Sequence, residues 1–144
     1  MAHKRKSYLQ VNLEGFDELL EKIKKAGGSI DEACTACIKN SAKIQQIKLQ
    51  AQMRKSRVDS SLINRMPPPE ITKDGNKYSA RVGYTKGSYD PNNISDDYKV
   101  VFLNYGTPRI KPRKFIKKAK NAAKKPIKRA QEYTLNKILG SLKK

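Results

Sequence analysis

Residues that carry chemistry are scarce in this chain of 144. It holds two cysteines, one histidine and no tryptophan. Two cysteines three apart, Cys34 and Cys37, cannot form a disulfide framework, and the one histidine, His3, sits in the N-terminal tail, far from them in sequence. A zinc site would need about two more ligands, so no metal is expected. Aromatic residues make up 7% of the chain. The basic C-terminal segment holds only Phe115 and Tyr133 among them, too few for a base-stacking platform. The longest run of large apolar residues is Val100 to Leu103, far short of the roughly 20 that a membrane helix needs. The basic start, Met1 to Lys6, is not followed by an apolar stretch or a small-residue cleavage site. No secretory signal and no membrane segment are therefore expected. Acids are also few, 13 against 32 Lys and Arg, for a net charge of +19. That balance favours an anionic partner, with nucleic acid as the first candidate.

The charge is unevenly spread. Residues 108–144 carry 14 Lys and Arg and one acid, Glu132. This terminal segment reads as a helix from about Arg113 to Leu139. Its apolar stripe is Phe115, Ile116, Ala119, Ala122, Ala123, Ile127, Ala130, Thr134 and Ile138. Lys117, Lys118, Lys120, Lys124, Lys125, Lys128 and Arg129 cover the rest and are the candidate contacts for an anionic partner. Pro126 predicts a kink or a break.

Upstream, Tyr8 to Leu13 alternates apolar and polar residues and reads as a short strand. Phe16, Leu19, Leu20 and Ile23 recur at helical spacing, with Glu18 and Glu21 one turn before Lys22 and Lys25, and Gly27-Gly28 ends the helix. Ser29-Ile30-Asp31-Glu32 fits a capping box opening a long helix to about Met53. Its expected stripe is Ile30, Ala33, Cys37, Ile44, Ile47 and Ala51. Pro67-Pro68-Pro69 breaks the chain, and Asp74-Gly75 predicts a hairpin between 70–72 and 77–84. Residues 85–97 read as an exposed loop, and Tyr98 to Tyr105 as either a strand or a short helix. The expected architecture is a single α+β domain over 1–144, with a basic arm at 1–6 and a flexible basic tail at 140–144.

Catalytic constellations are not evident. The Cys34-x-x-Cys37 pair lies a turn inside a helix and not at its start, where the dipole would acidify a thiol, so both are read as small core residues. A redox enzyme would need an unusually acidic thiol at one of them. Asp90, Asp96 and Asp97 fall in the turn-rich loop and read as solvated. No phosphate-binding, dinucleotide-binding or nucleophile-elbow motif is present. No enzyme activity and no cofactor are expected.

The order of short motifs resembles the tail-completion, or head–tail joining, proteins of long-tailed bacteriophages. Members open with a strand and a G-hydrophobic-D-E-L helix, as in Gly15-Phe16-Asp17-Glu18-Leu19. A P-V-D-T-G-x-L-x-x-S-I segment is similar to Val58-Asp59-Ser60-Ser61-Leu62-Ile63. Y-x-x-F-V-E-F-G-T looks like Tyr98 to Thr107, including Phe102, Gly106 and Thr107. P-A-R-P-F-L-x-x-A looks like Lys111 to Ala119, with Phe115. Asn104 stands where the family has Glu, and Arg57 and Lys114 where it has Pro. The resemblance covers about Val11 to Leu139. It implies a virion structural protein, made in the bacterial host cytoplasm, that forms a homo-oligomeric ring in the neck, a hexamer among the candidates. Its implied neighbours are the head connector and a tail-tube or tail-terminator protein, with non-specific contact to DNA in a channel as a further option. The alternative is a nucleic-acid-binding protein without sequence specificity that uses the basic terminal helix.

Overall fold

Leu9 and Val11 alternate with polar neighbours, and in the computed structural model of this protein they form strand β1 (Tyr8–Asn12) with both side chains buried. The structure describes residues 7–75, 77–84 and 95–142. The expected arm at 1–6, residues 85–94 of the expected loop, and Lys143 and Lys144 lie outside the described residues. After β1 come helices α1 (Asp17–Lys25), α2 (Ile30–Lys55) and the short α3 (Ser60–Asn64). Strands β2 (Glu70–Asp74) and β3 (Lys77–Gly83) follow, then α4 (Asp96–Tyr105) and α5 (Phe115–Leu142). The protein has an α+β fold, and Tyr98 to Tyr105 is helical.

The three strands form one antiparallel sheet in the order β1-β3-β2. Asp74 pairs with Lys77 across the expected hairpin turn, where Gly75 has φ +60°. Val11, Tyr78, Ala80 and Val82 face inward onto Cys34, Ile38 and Ala42 of α2. The long α5 runs antiparallel to α2, since Gln45 meets Ala119 while Cys37 meets Gln131. Ser29 opens α2 as expected, its Oγ accepting from the Glu32 N–H at 3.3 Å. At the end of α1, Gly28 N–H bonds to the Ile23 carbonyl and Gly27 N–H to that of Lys24. This closure needs a left-handed residue, and Gly27 supplies it at φ +90°.

Both long helices bury the expected stripe only in part. On α2 one buried row is Ala33, Cys37, Ser41, Gln45, Leu49 and Met53, and a second, Cys34, Ile38 and Ala42, lies under the sheet. On α5 the expected Phe115, Ile116, Ala119 and Ala123 are buried, and beyond Pro126 the row continues through Gln131, Leu135 and Leu139 in place of Ala130, Thr134 and Ile138. Rows at i+4 wind around a helix instead of running straight along it. They become the buried face when two helices interlock through their i±4 ridges, which typically cross at about −50°. Ile47 of the expected α2 stripe is consequently 54% exposed, and Ala122 of the α5 stripe is also exposed.

Three further expectations need correction, and one is narrowed. Of the kink or break expected at Pro126, the break is absent, α5 running continuously through it. The carbonyl of Ala122 loses its intrahelical donor there, but Ala122 is exposed, so water can replace it. Residues 140–142 belong to α5 and not to a tail, because Leu142 packs beside the Gly27-Gly28 turn. Asp96 is fully buried instead of solvated. Neither Glu18–Lys22 nor Glu21–Lys25 closes to ion-pair distance among the described residues.

Candidate interaction surfaces

Most of the motif residues meet where α4 hands over to α5. Asp59 caps α3, its Oδ1 accepting from the Ser61 N–H at 3.3 Å. Leu62 then enters the same core cluster as Val100 and Phe115, and its carbonyl accepts from the Tyr84 hydroxyl. Burial raises the Tyr84 phenol well above its ordinary value, aided by the Asp96 charge. Helix α4 ends at Gly106, which has φ +81°. A side chain there would meet the Ile110 carbonyl and the Pro112 ring at 2.8 Å, so only glycine fits. Thr107 folds the next turn. Its Oγ1 accepts from the N–H groups of Arg109 and Ile110, at 3.2 and 3.0 Å. Phe115, at 0% exposure, anchors the start of α5 in the core.

Polar contacts lock this junction. Asn104, 4% exposed, accepts the Ile116 N–H at 2.9 Å through Oδ1 and the Lys114 N–H at 3.0 Å through its carbonyl. It therefore caps α5 from a different helix, satisfying one of the donors that a helix start leaves free. Arg65 grips Asp96 with two bonds of 2.9 Å, tying α3 to the first turn of α4. Arg113 reaches the Ser56 carbonyl at the end of α2, where the helix dipole favours a cation. Phe102 lies on the outer side of α4, half-buried and edge-on to Tyr98 at 4.3 Å.

The remaining motif residues sit at the other end of α5. Gly15 turns the chain into α1 at φ +84°, and Phe16 and Leu19 are half-buried. They pack on a cluster formed by Ile23, Ala33, Cys37, Leu135 and Leu139. At 1.5 Å per residue, Leu139 lies about 36 Å along the helix from Phe115. The motifs therefore mark two separate ends of the molecule and do not converge on one pocket.

All seven basic candidates on α5 are exposed, and none pairs with a carboxylate among the described residues. They form two groups. Lys120, Lys124 and Lys128 lie in a row of i+4 steps, each about 6 Å apart along the axis. That row borders a cleft of about 250 Å³ against β1, with Gln10 and Asn12 on its far wall. Lys118, Lys125 and Arg129 lie roughly 120° further around the helix. Lys117 joins the first group on the side of Lys124 and Lys128.

The cysteines belong to the interior. Both are buried, and Cys37 Sγ lies 3.7 Å from the Gln131 carbonyl in donor position. Burial pushes the Cys37 thiol up to about 12, helped by Cys34, and it raises Cys34 as well. Thiolate chemistry at neutral pH is therefore disfavoured. Around them runs a polar seam. Gln131 Nε2 donates to Ser41 Oγ at 2.9 Å and to the Asn12 carbonyl at 3.3 Å, and Gln45 Nε2 donates to the Ala119 carbonyl at 3.1 Å. Among the described residues no three His, Cys, Asp or Glu side chains cluster to hold a metal ion.

Sequence reasoning missed Arg65, Asn104 and Gln131. The one available signal was Asn104, a helix-capping residue type near the end of one element and shortly before the next. Among the described residues no helix is long and apolar enough to cross a membrane. Comparison with family models, with characterised proteins and with solved structures finds no match for this chain.

Proposed function

We propose that the chain is a structural protein of a bacteriophage virion, forming an oligomeric ring in the neck that completes the tail and joins it to the head connector. The observation that carries this reading is the position of the resembling residues. Gly106, Thr107 and Phe115 are the tight turn, turn staple and helix anchor of one chain reversal, Leu62 shares its core cluster, and Asp59 caps the short helix that carries Leu62. Motifs spent on making a junction rigid suit a part that bears load between two assemblies better than one that turns over a substrate. On this reading the protein is not an enzyme and takes no cofactor. Its partners are further copies of itself, the head connector and a tail-tube or tail-terminator protein. Its exposed α5 cations then face DNA in transit or an acidic neighbour. The test is genetic: a phage lacking this gene should accumulate filled heads and separate tails, and joined particles would refute the proposal.

A second reading has its own support. Seven exposed cations without carboxylate partners, three of them in an i+4 row along a cleft, suit a polyanion backbone. Nucleic-acid binding by this face should weaken steeply as salt rises, with no preference for sequence. Binding to duplex DNA that is absent at low salt would remove this reading.

A further inference from the structure

Apolar side chains of α2 and α5 that are not fully buried come together on the surface. Ala36, Ile44 and Ile47 of α2, with Tyr133 and Ile138 of α5, line one groove of about 500 Å³. Ile47 is 54% exposed and Tyr133 67% exposed. Lys43 and Lys137 rim the groove, and no acid lines it. An occupant must therefore bring apolar side chains with carboxylates around them.

On this basic chain one segment has that character. Glu14 to Glu21 holds four acids and no base. Asp17, Glu18 and Glu21 are exposed on the first half of α1, beside the half-buried Phe16 and Leu19. None of the three is neutralised by an ion pair among the described residues. The acidic segment cannot reach the groove within one molecule. Helix α1 packs on Leu135 and Leu139 through Ile23, and those two residues lie roughly 120–160° around α5 from Tyr133 and Lys137.

We propose that the α2–α5 groove receives the acidic first half of α1 from a second copy of this chain. The contact uses two different patches on opposite sides of α5, so it is head-to-tail. Repetition of such a contact closes into a ring or grows into a filament. The inference rests on the oligomeric part of the reading above and names its interface. Opposite charges draw the copies together despite a net charge of +19, and the apolar floor of the groove excludes water from the contact.

The experiment is sedimentation velocity on the full chain at low salt, with circular dichroism to verify folding. Two variants are compared with wild type: Lys43→Glu with Lys137→Glu in the groove, and Glu18→Lys with Glu21→Lys on α1. Wild type should associate, and less so as salt rises. Each variant should lose affinity for itself by on the order of 100-fold, because like charges then face one another. Mixed, the two variants leave two interfaces: one with both partners intact and one with both reversed. Because each variant is reversed on one side only, the intact groove of the α1 variant meets the intact α1 of the groove variant. Both interfaces are charge-matched, so association should return on mixing. A chain carrying all four substitutions should also recover association. Wild-type chain that stays monomeric overturns the inference. So do variants that associate as wild type does, or a mixture that stays monomeric. Loss of head–tail joining is read separately in the phage, so failure of this interface and failure of the neck proposal are distinguishable.

Discussion

The two ends of α5 are built by different means. At the start of the helix, Phe115 fills the core, Asn104 caps the backbone, and the Arg65–Asp96 pair fixes the preceding helix. At the far end, Leu135 and Leu139 pack on α1 through apolar contacts, with Ile138 and Leu142 part-exposed or exposed. Directional bonds specify one geometry, whereas apolar packing tolerates adjustment. The first end therefore reads as a fixed joint, and the second as a surface able to accept another chain.

The largest expected effect breaks the fixed end. Phe115→Ala removes a fully buried ring and should cost about 3–5 kcal/mol in urea unfolding, against about 2 kcal/mol for Leu139→Ala near the chain end. Equal losses would dissolve the distinction between the ends. Asp96→Ala leaves the Arg65 guanidinium without its buried partner. Arg65 keeps 27% of its side chain in water, so a loss of about 2–3 kcal/mol is expected, at or below the range for fully buried pairs. Equilibrium denaturation of Arg65→Met with and without Asp96→Ala should show the two losses to be non-additive.

The seam between the ends is sensed by pH. The unfolded Cys37 thiol ionises near 9 and the folded one near 12, so the folded state retains its proton in between. Stability is therefore full well below pH 9 and falls as pH rises toward 12, at a rate that approaches but does not exceed about 1.4 kcal/mol per unit. Denaturation curves at pH 8 and 10 should show the decline, and Cys37→Ala should reduce it, leaving the part that the raised Cys34 thiol contributes. The smallest effect concerns the cap. Asn104→Ala should cost about 1 kcal/mol, the usual worth of a helix cap, while Asn104→Asp should retain most of it. Thermal unfolding of the pair of variants separates the cap from simple loss of volume.

Local features were legible in the sequence because local chemistry decides them. Ser29 capped its helix, Gly27 closed the one before it, and Asp74-Gly75 turned the hairpin. The lysines of α5 were expected on the outside and are there. The buried faces of α2 and α5 were legible only in part, at Ala33 and Cys37 and at Phe115, Ile116, Ala119 and Ala123, since the crossing of two helices decides which row is covered beyond them. That crossing buries Ser41, Gln45 and Gln131 and leaves Ile47 and Tyr133 outside. A stripe drawn from hydrophobicity alone had assigned Ile47 to the core. Asp96 was hidden for another reason: its partner Arg65 lies 31 residues away, and a turn-rich neighbourhood suggested solvent. The motif residues were found singly, but only the fold separates them into two ends.

The central claim is that this protein joins two parts of a phage particle. Electron microscopy of lysates from a phage with the gene disrupted, and from the same phage supplied with the protein in trans, tests it most directly. The account predicts unjoined heads and tails in the first lysate and joined virions in the second. Joined, infectious particles in the absence of the protein would contradict it.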